Sequence, residues 1–97
     1  MMIRIFRVDV PAALHAEFEA KLLSISVPHV QAAPGMVSVS VGRPTRWAPN
    51  EFVMISVWQD EAALRAFAGE HWNQAVIPAG MEKFVSACWV HHYEQFG

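Results

Sequence analysis

The stretch from Glu51 to Ala68, EFVMISVWQDEAALRAFA, most constrains the chain, because a strand runs through Trp58 directly into a helix. Between residues 52 and 58 two sets alternate, Phe52, Met54, Ser56 and Trp58 against Val53, Ile55 and Val57. This is the period-two pattern of side chains pointing to opposite faces of a sheet. Neither set makes a water face. The aliphatic set is expected under helices, and the aromatic, thioether and hydroxyl set along a pocket or subunit interface. Asp60 fits a helix N-cap, and Glu61 adds negative charge where the helix dipole favours it. Leu64, Phe67 and Ala68 then supply that helix with an apolar stripe.

The same patterning locates the other elements. Met2 to Val10 reads as a strand with Ile3 and Ile5 on one face and Arg4, Phe6 and Val8 on the other. After Pro11, the residues Leu14, Phe18, Leu22 and Ile25 recur at helical spacing, and the helix is expected to end before Pro28, which disfavours a helical Val27. Pro34-Gly35 suits a tight turn. From Met36 to Gly42, Val37, Val39 and Val41 alternate with Met36, Ser38 and Ser40, so this strand is expected to pair with the Phe52 strand as a hairpin. Arg43 to Asn50 reads as an exposed loop. Gly69 permits a break, after which His71 to Ile77 forms a second amphipathic piece stopped by Pro78. The last strand, Phe84 to Tyr93, sets Val85, Ala87, Trp89, His91 and Tyr93 against Phe84, Ser86, Cys88, Val90 and His92.

Composition narrows the function classes. Ninety-seven residues make a single domain, 1–97, with one core. The formal charge of -2 and the lack of any Lys/Arg run argue against nucleic acid and anionic membranes as partners. No apolar run approaches a membrane span, and Arg4, Arg7 and Asp9 break any signal-peptide core. Cys88 is alone, so no intrachain disulfide forms and the cytoplasm is the expected location. Hydrophobic residues make up 54% of the chain, with four Trp and six Phe, more apolar area than a monomer this small buries comfortably. The excess points to a homodimer interface or a ligand cavity.

The order β-α-β-β-α-β is the ferredoxin-like arrangement, an α+β fold with a four-stranded antiparallel sheet and two helices on one face. Two helices on one side leave the other side to be covered by a second copy. Here the sequence resembles the antibiotic-biosynthesis-monooxygenase-like (ABM) family of dimeric α/β barrels. The residues that carry the likeness are the opening strand, Phe18, Pro34-Gly35-Met36, Trp58, Asp60-Glu61-Ala62, Phe67 and a terminal strand ending near Tyr93. The resemblance implies a cofactor-independent monooxygenase acting on anthrones and quinols, a haem-degrading enzyme, or one of the family's many small proteins without established chemistry. The haem-degrading branch has an asparagine on its first strand, a tryptophan on its second helix and a histidine ligand beyond it. Here the first strand has no asparagine, Phe67 takes the tryptophan position, and the ligand position falls near Val76 or Ile77, unless His71 substitutes.

Among chemistry candidates, His91 shares a strand face with Trp89 and Tyr93, company that suits a planar phenolic substrate whose proton a histidine could take. The plainer reading is a strand histidine hydrogen-bonded to a neighbour or water. Adjacent strand positions point apart, so His91 and His92 cannot chelate one metal. Trp58 and Trp89 either stack on a flat ligand or fill a dimer core. Trp72 and His71 either form a lid or staple their segment to the sheet edge. Met54, Ser38, Ser40 and Ser56 lie on the mixed faces, and no nucleophile elbow accompanies the serines. Arg4 and Arg7 are expected to reach solvent, and Cys88 to be a buried small hydrophobe.

With no phosphate loop and no metal-ligand spacing, no cofactor is expected. The leading expectation is a cofactor-independent monooxygenase (an oxidoreductase) oxidising a small aromatic quinol, phenol or anthrone in a cavity of the dimer. His91 is its proton acceptor, and Trp58, Trp89, Tyr93, Ser38, Ser56, Met54, Trp72 and His71 surround the substrate. The alternatives are a non-catalytic binding or vestigial dimeric domain, and a haem-binding protein using His71 or His91.

Overall fold

The structure is a computed structural model that describes residues 1–69, 75, 77 and 79–97. Four strands, β1 (Met2–Asp9), β2 (Met36–Gly42), β3 (Glu51–Trp58) and β4 (Ala87–Glu94), form one antiparallel sheet in the order β2-β3-β1-β4. The helical elements are α1 (His15–Lys21), a π-helical segment Leu22–Ser26, α2 (Val27–Gln31) and α3 (Glu61–Ala68). This is the ferredoxin-like architecture, with β2 and β3 paired as the expected hairpin.

Several local expectations hold for their stated reasons. Asp60 caps α3, its Oδ1 accepting from the Ala63 amide at 2.8 Å, and Gly69 at φ 82° ends the helix as Asn or Gly does at a C-terminus. Gly35, at φ 83°, closes the turn into β2. It also lets the turn approach α3, since a Cβ there would lie 2.4 Å from the Cβ of Ala63.

Register settles which strand face is inside. β1 pairs Met2, Arg4, Phe6 and Val8 with Trp58, Ser56, Met54 and Phe52 on one side, and with Glu94, His92, Val90 and Cys88 on the other. Val8, Phe52, Met54 and Trp58 of this face pack with Phe18, Leu22, Val30 and Leu64 of the helices into the core. The set with the aromatic and hydroxyl groups therefore lies under the helices, and the aliphatic set Val53, Ile55 and Val57 lies on the open face, the reverse of the sequence expectation. Large rings decide this. Phe52 and Trp58 are 2% and 0% exposed because they fill the depth between sheet and helix, whereas small branched residues suit a flat surface.

Three further expectations change. The first helical run does not stop before Pro28 but continues to Gln31. At its widened turn the Val27 amide bonds to the Leu22 carbonyl, five residues back, and Pro28 then falls in the first turn of α2, where a missing N–H is tolerated. The last strand starts at Ala87, after a 3-10 turn at Glu82–Phe84 that turns Phe84 into the core. Cys88 is exposed, not buried, on β4 at the edge of the sheet. The His71 to Ile77 segment, with its His71 and Trp72, lies outside the described residues except for Ala75 and Ile77.

Candidate functional site

Along the helix-covered face, the two ends of the sheet are filled differently. Where Val8 pairs with Phe52, three rings close the space, Phe18 against Phe52 at 4.7 Å and against Phe84 at 5.4 Å, both edge-on. Toward the other end the strand residues are Phe6 with Met54 and Arg4 with Ser56. Here serine replaces a ring, and a cavity of about 40 Å³ opens between sheet and helices.

The apolar wall comes from Phe6 and Met54 of the sheet, Phe18, Leu22 and Val30 of the helical run, Phe67 of α3, and Ile77, Met81 and Val85. Arg4, Ser26, Ser56 and His29 are its polar groups. The helical contributors Phe18, Leu22, Ser26 and Val30 recur every four residues, straight through the π-helical segment. A regular α-helix would rotate that stripe away from the sheet; the wider turn keeps Ser26 and Val30 on it.

Arg4 is the unusual member, a guanidinium 4% exposed in an apolar wall. Its Nη1 lies 2.8 Å from Nε2 of His92, its neighbour across the β1–β4 ladder. Arginine has donors only, so Nη1 donates, Nε2 accepts and the His92 proton sits on Nδ1. Burial lowers the Arg4 pKa to about 10, leaving it charged at neutral pH. Burial, the Arg4 charge and then His91 hold His92 below the ordinary histidine value, so it is neutral there. Ser56 Oγ accepts from Trp58 Nε1 at 2.9 Å, which leaves its hydroxyl hydrogen to donate. Trp58 itself sits behind the cavity wall, its ring 4.9 Å from that of Phe67. His29 is at the rim, 5.3 Å from Phe67.

The residues expected around a substrate thus divide. Met54 and Ser56 line the cavity and Trp58 backs it. Trp89, His91 and Tyr93 pair with Arg7, Ile5 and Ile3, which places them on the open face, as Ser38 is through its pairing with Val57. There Arg7 makes a two-point ion pair with Glu51 (2.8 and 3.0 Å) and lies 5.3 Å from the Trp89 ring centre. His71 and Trp72 fall outside the described residues. Sequence reading missed Ser26, because it sets Ile25 on the apolar stripe, and His29 and Val30, because it ends the helix before Pro28; the unbroken four-residue step from Phe18 was the available signal. It also missed Arg4, although Phe6 and Val8 on the same face marked its direction.

The cavity has room for a few waters. Among the described residues no group of three or more His, Cys, Asp or Glu side chains is placed to hold a metal ion.

A family model described as antibiotic biosynthesis monooxygenase matches residues 1–76. A search of curated proteins returns no match. Among solved structures the chain is similar to SnoaB from Streptomyces nogalater, a cofactor-independent oxygenase solved as its N63A mutant. The identity is 20%, the TM-score 0.72, and 97% of this chain and 91% of that one are covered. It is similar as well to the haem degrader MhuD from Mycobacterium tuberculosis, solved with two haems in its active site (18% identity, TM-score 0.73, 98% and 95% covered). A third similar structure is protein PA3566 from Pseudomonas aeruginosa (17%, 0.71, 99% and 94%). At these identities the likeness is one of fold.

Proposed function

Since the chain belongs to the antibiotic biosynthesis monooxygenase family, we propose that it is a cofactor-independent monooxygenase acting on a small quinol, phenol or anthrone-type substrate. The site is the cavity between sheet and helices, and the working unit is a cytoplasmic homodimer joined through the open sheet face. The single observation that carries the reading is the buried Arg4 at the cavity's end, beside a neutral His92. A substrate oxygen on Arg4 is easier to ionise there than in water, and the resulting anion is the electron-rich species that reacts with oxygen. The apolar walls exclude water from that anion. For an anthrone, one atom of O2 becomes the new carbonyl oxygen and the other leaves as water with the two methylene hydrogens, all four electrons coming from the substrate.

Placement favours His92 and His29 over His91 as the imidazoles near such chemistry, since His91 lies across the sheet. The dimer reading draws on the open face, where Ile55 and Tyr93 are 37% and 53% exposed and Ile3, Ile5 and Val57 lie beside them. A ring larger than the present cavity enters by displacing Met54 and Met81, whose unbranched thioether side chains re-pack at little cost.

The competing reading, a binding domain without turnover, draws on that same small volume. Oxygen uptake separates them. With an anthrone and a panel of hydroquinones, uptake is expected above the protein-free rate and to fall at least tenfold in Arg4→Gln. Uptake at background across the panel would leave only the binding domain.

A further inference from the structure

Resting on the cavity as the ligand site, we infer that its occupant is a ring ketone, held by a hydrogen bond from the Ser56 hydroxyl to the ketone oxygen. Ser56 is 3% exposed and lines the cavity. Its Oγ accepts from Trp58 Nε1 at 2.9 Å, and among the described residues the hydroxyl makes no second hydrogen bond. The one hydrogen of that hydroxyl cannot go to the indole N–H, which is a donor only. It is left to donate in a buried place, where an unmade bond costs free energy. The surroundings select what takes it. Phe6, Met54 and Phe67 suit the body of a ring and offer no strong acceptor to a ligand's own O–H. A carbonyl on a hydrocarbon ring answers both demands, since its oxygen accepts and carries no hydrogen in need of a partner. Of the substrate classes above, this selects the anthrone, the one that is a ketone as bound.

Trp58 positions this donor from behind the cavity wall. Its N–H occupies one lone pair of the Ser56 oxygen and so limits the directions in which the hydroxyl hydrogen can point. Contact with Phe67, ring centres 4.9 Å apart, holds the indole in place. Arg4 is the cross-strand neighbour of Ser56 and is bonded to His92, so its contribution to any ligand oxygen has to be separated by experiment.

The probe is acetophenone, and the control is α-methylstyrene, nearly the same in shape but with a methylene carbon in place of the oxygen. Infrared difference spectra of isotope-labelled acetophenone on the intact native chain are expected to show the carbonyl stretch at lower wavenumber than in cyclohexane. Ser56→Ala should move the band back toward that solvent. By ligand-detected NMR, Ser56→Ala should weaken acetophenone about fivefold, the worth of one neutral hydrogen bond, and leave α-methylstyrene unchanged. Circular dichroism verifies folding, since Ser56→Ala also takes the acceptor from the Trp58 indole. Should that variant not fold, the native band and Ser56→Cys decide, because a thiol keeps a weak donor and a weak acceptor and should give an intermediate shift. Failure of acetophenone to bind, an unshifted band in the native protein, or a shift that the serine variants leave intact overturns the inference. A shift that depends on Ser56, without oxygen uptake from any substrate, would leave it standing and remove the oxygenase reading. Oxygen uptake from an anthrone with an unshifted acetophenone band would do the opposite.

Discussion

The two faces of the sheet use their side chains in opposite ways. Under the helices, Phe52, Trp58 and Phe84 are 2% exposed or less, and the gap among such rings is occupied by a charged arginine and two serines. Among the described residues no ring on the open face is buried. Trp89 is 42% exposed, Ile55 37%, and that face's charged pair, Arg7 with Glu51, lies at the surface beside His91, Tyr93 and Ser38. Both faces are apolar by composition, so hydrophobicity does not separate them. What separates them is depth. A face opposite helices must be filled to about 10 Å with interdigitating side chains, which calls for rings and leaves cavities where a small residue intervenes. A face turned to solvent can be flat.

The sharpest way to break that contrast is to remove one tryptophan from each side. Trp58→Ala deletes a fully buried indole and the donor to Ser56, and is expected to cost about 3–5 kcal/mol. Trp89→Ala removes a half-exposed ring whose contact with Arg7 is a surface cation–π pair, so its cost in a monomer should be about 1 kcal/mol or less. Urea titrations at low protein concentration measure both. Equal costs would mean that burial within one chain is not what distinguishes the faces.

A second test sharpens the assignment of the open face. Ile55→Glu places a charge at its centre, between the positions of Ile5 and Ser40. In one chain the change is mild, since the site is on the surface. If two copies meet there, association should weaken at least tenfold, about 1.4 kcal/mol, as read by sedimentation equilibrium. An unchanged association constant would place any dimer contact elsewhere.

How far the sequence carried this picture follows from the same contrast. Element order, the hairpin, the Asp60 cap and the Pro34-Gly35 turn were legible because each depends on residues within a few positions. The inner face was not, since alternation reports that two faces exist and is silent on which one meets the helices. Val53, Ile55 and Val57 looked like a core because they are aliphatic, while Trp58 looked like a ligand wall because it is large. For the site, Met54 and Ser56 were legible on the mixed face, and Arg4 was not. A charged side chain on a strand is exposed as a rule, and the compensation offered by His92 comes from a residue 88 positions away. His29 and Val30 were hidden by a proline whose effect is cancelled by a widened helical turn, a device that leaves no mark in local propensity, and Ser26 by the choice of Ile25 for the stripe.

The smallest expected effect concerns pH and compares two adjacent histidines of β4. His92 lies under the helices and is held below its ordinary value of 6.5 by burial, by the Arg4 charge and by His91; His91 lies on the other face. In the unfolded chain His92 takes a proton near pH 6.5, whereas in the folded chain it resists until lower pH. Above 6.5 both states are neutral and the group contributes no slope. As pH falls below 6.5 the unfolded state binds more protons, so folding stability declines until the folded group also titrates. His92→Gln removes that titration while keeping an acceptor for Arg4, and should flatten the decline in the transition temperature between about pH 6.5 and 5. His91→Gln, made on the exposed face, should leave most of the decline in place. The reverse pattern, with His91→Gln flattening it and His92→Gln not, would show that the imidazole sheltered with Arg4 is not the one that resists protonation, and would take away the reason for drawing that pair as a cation beside a neutral acceptor.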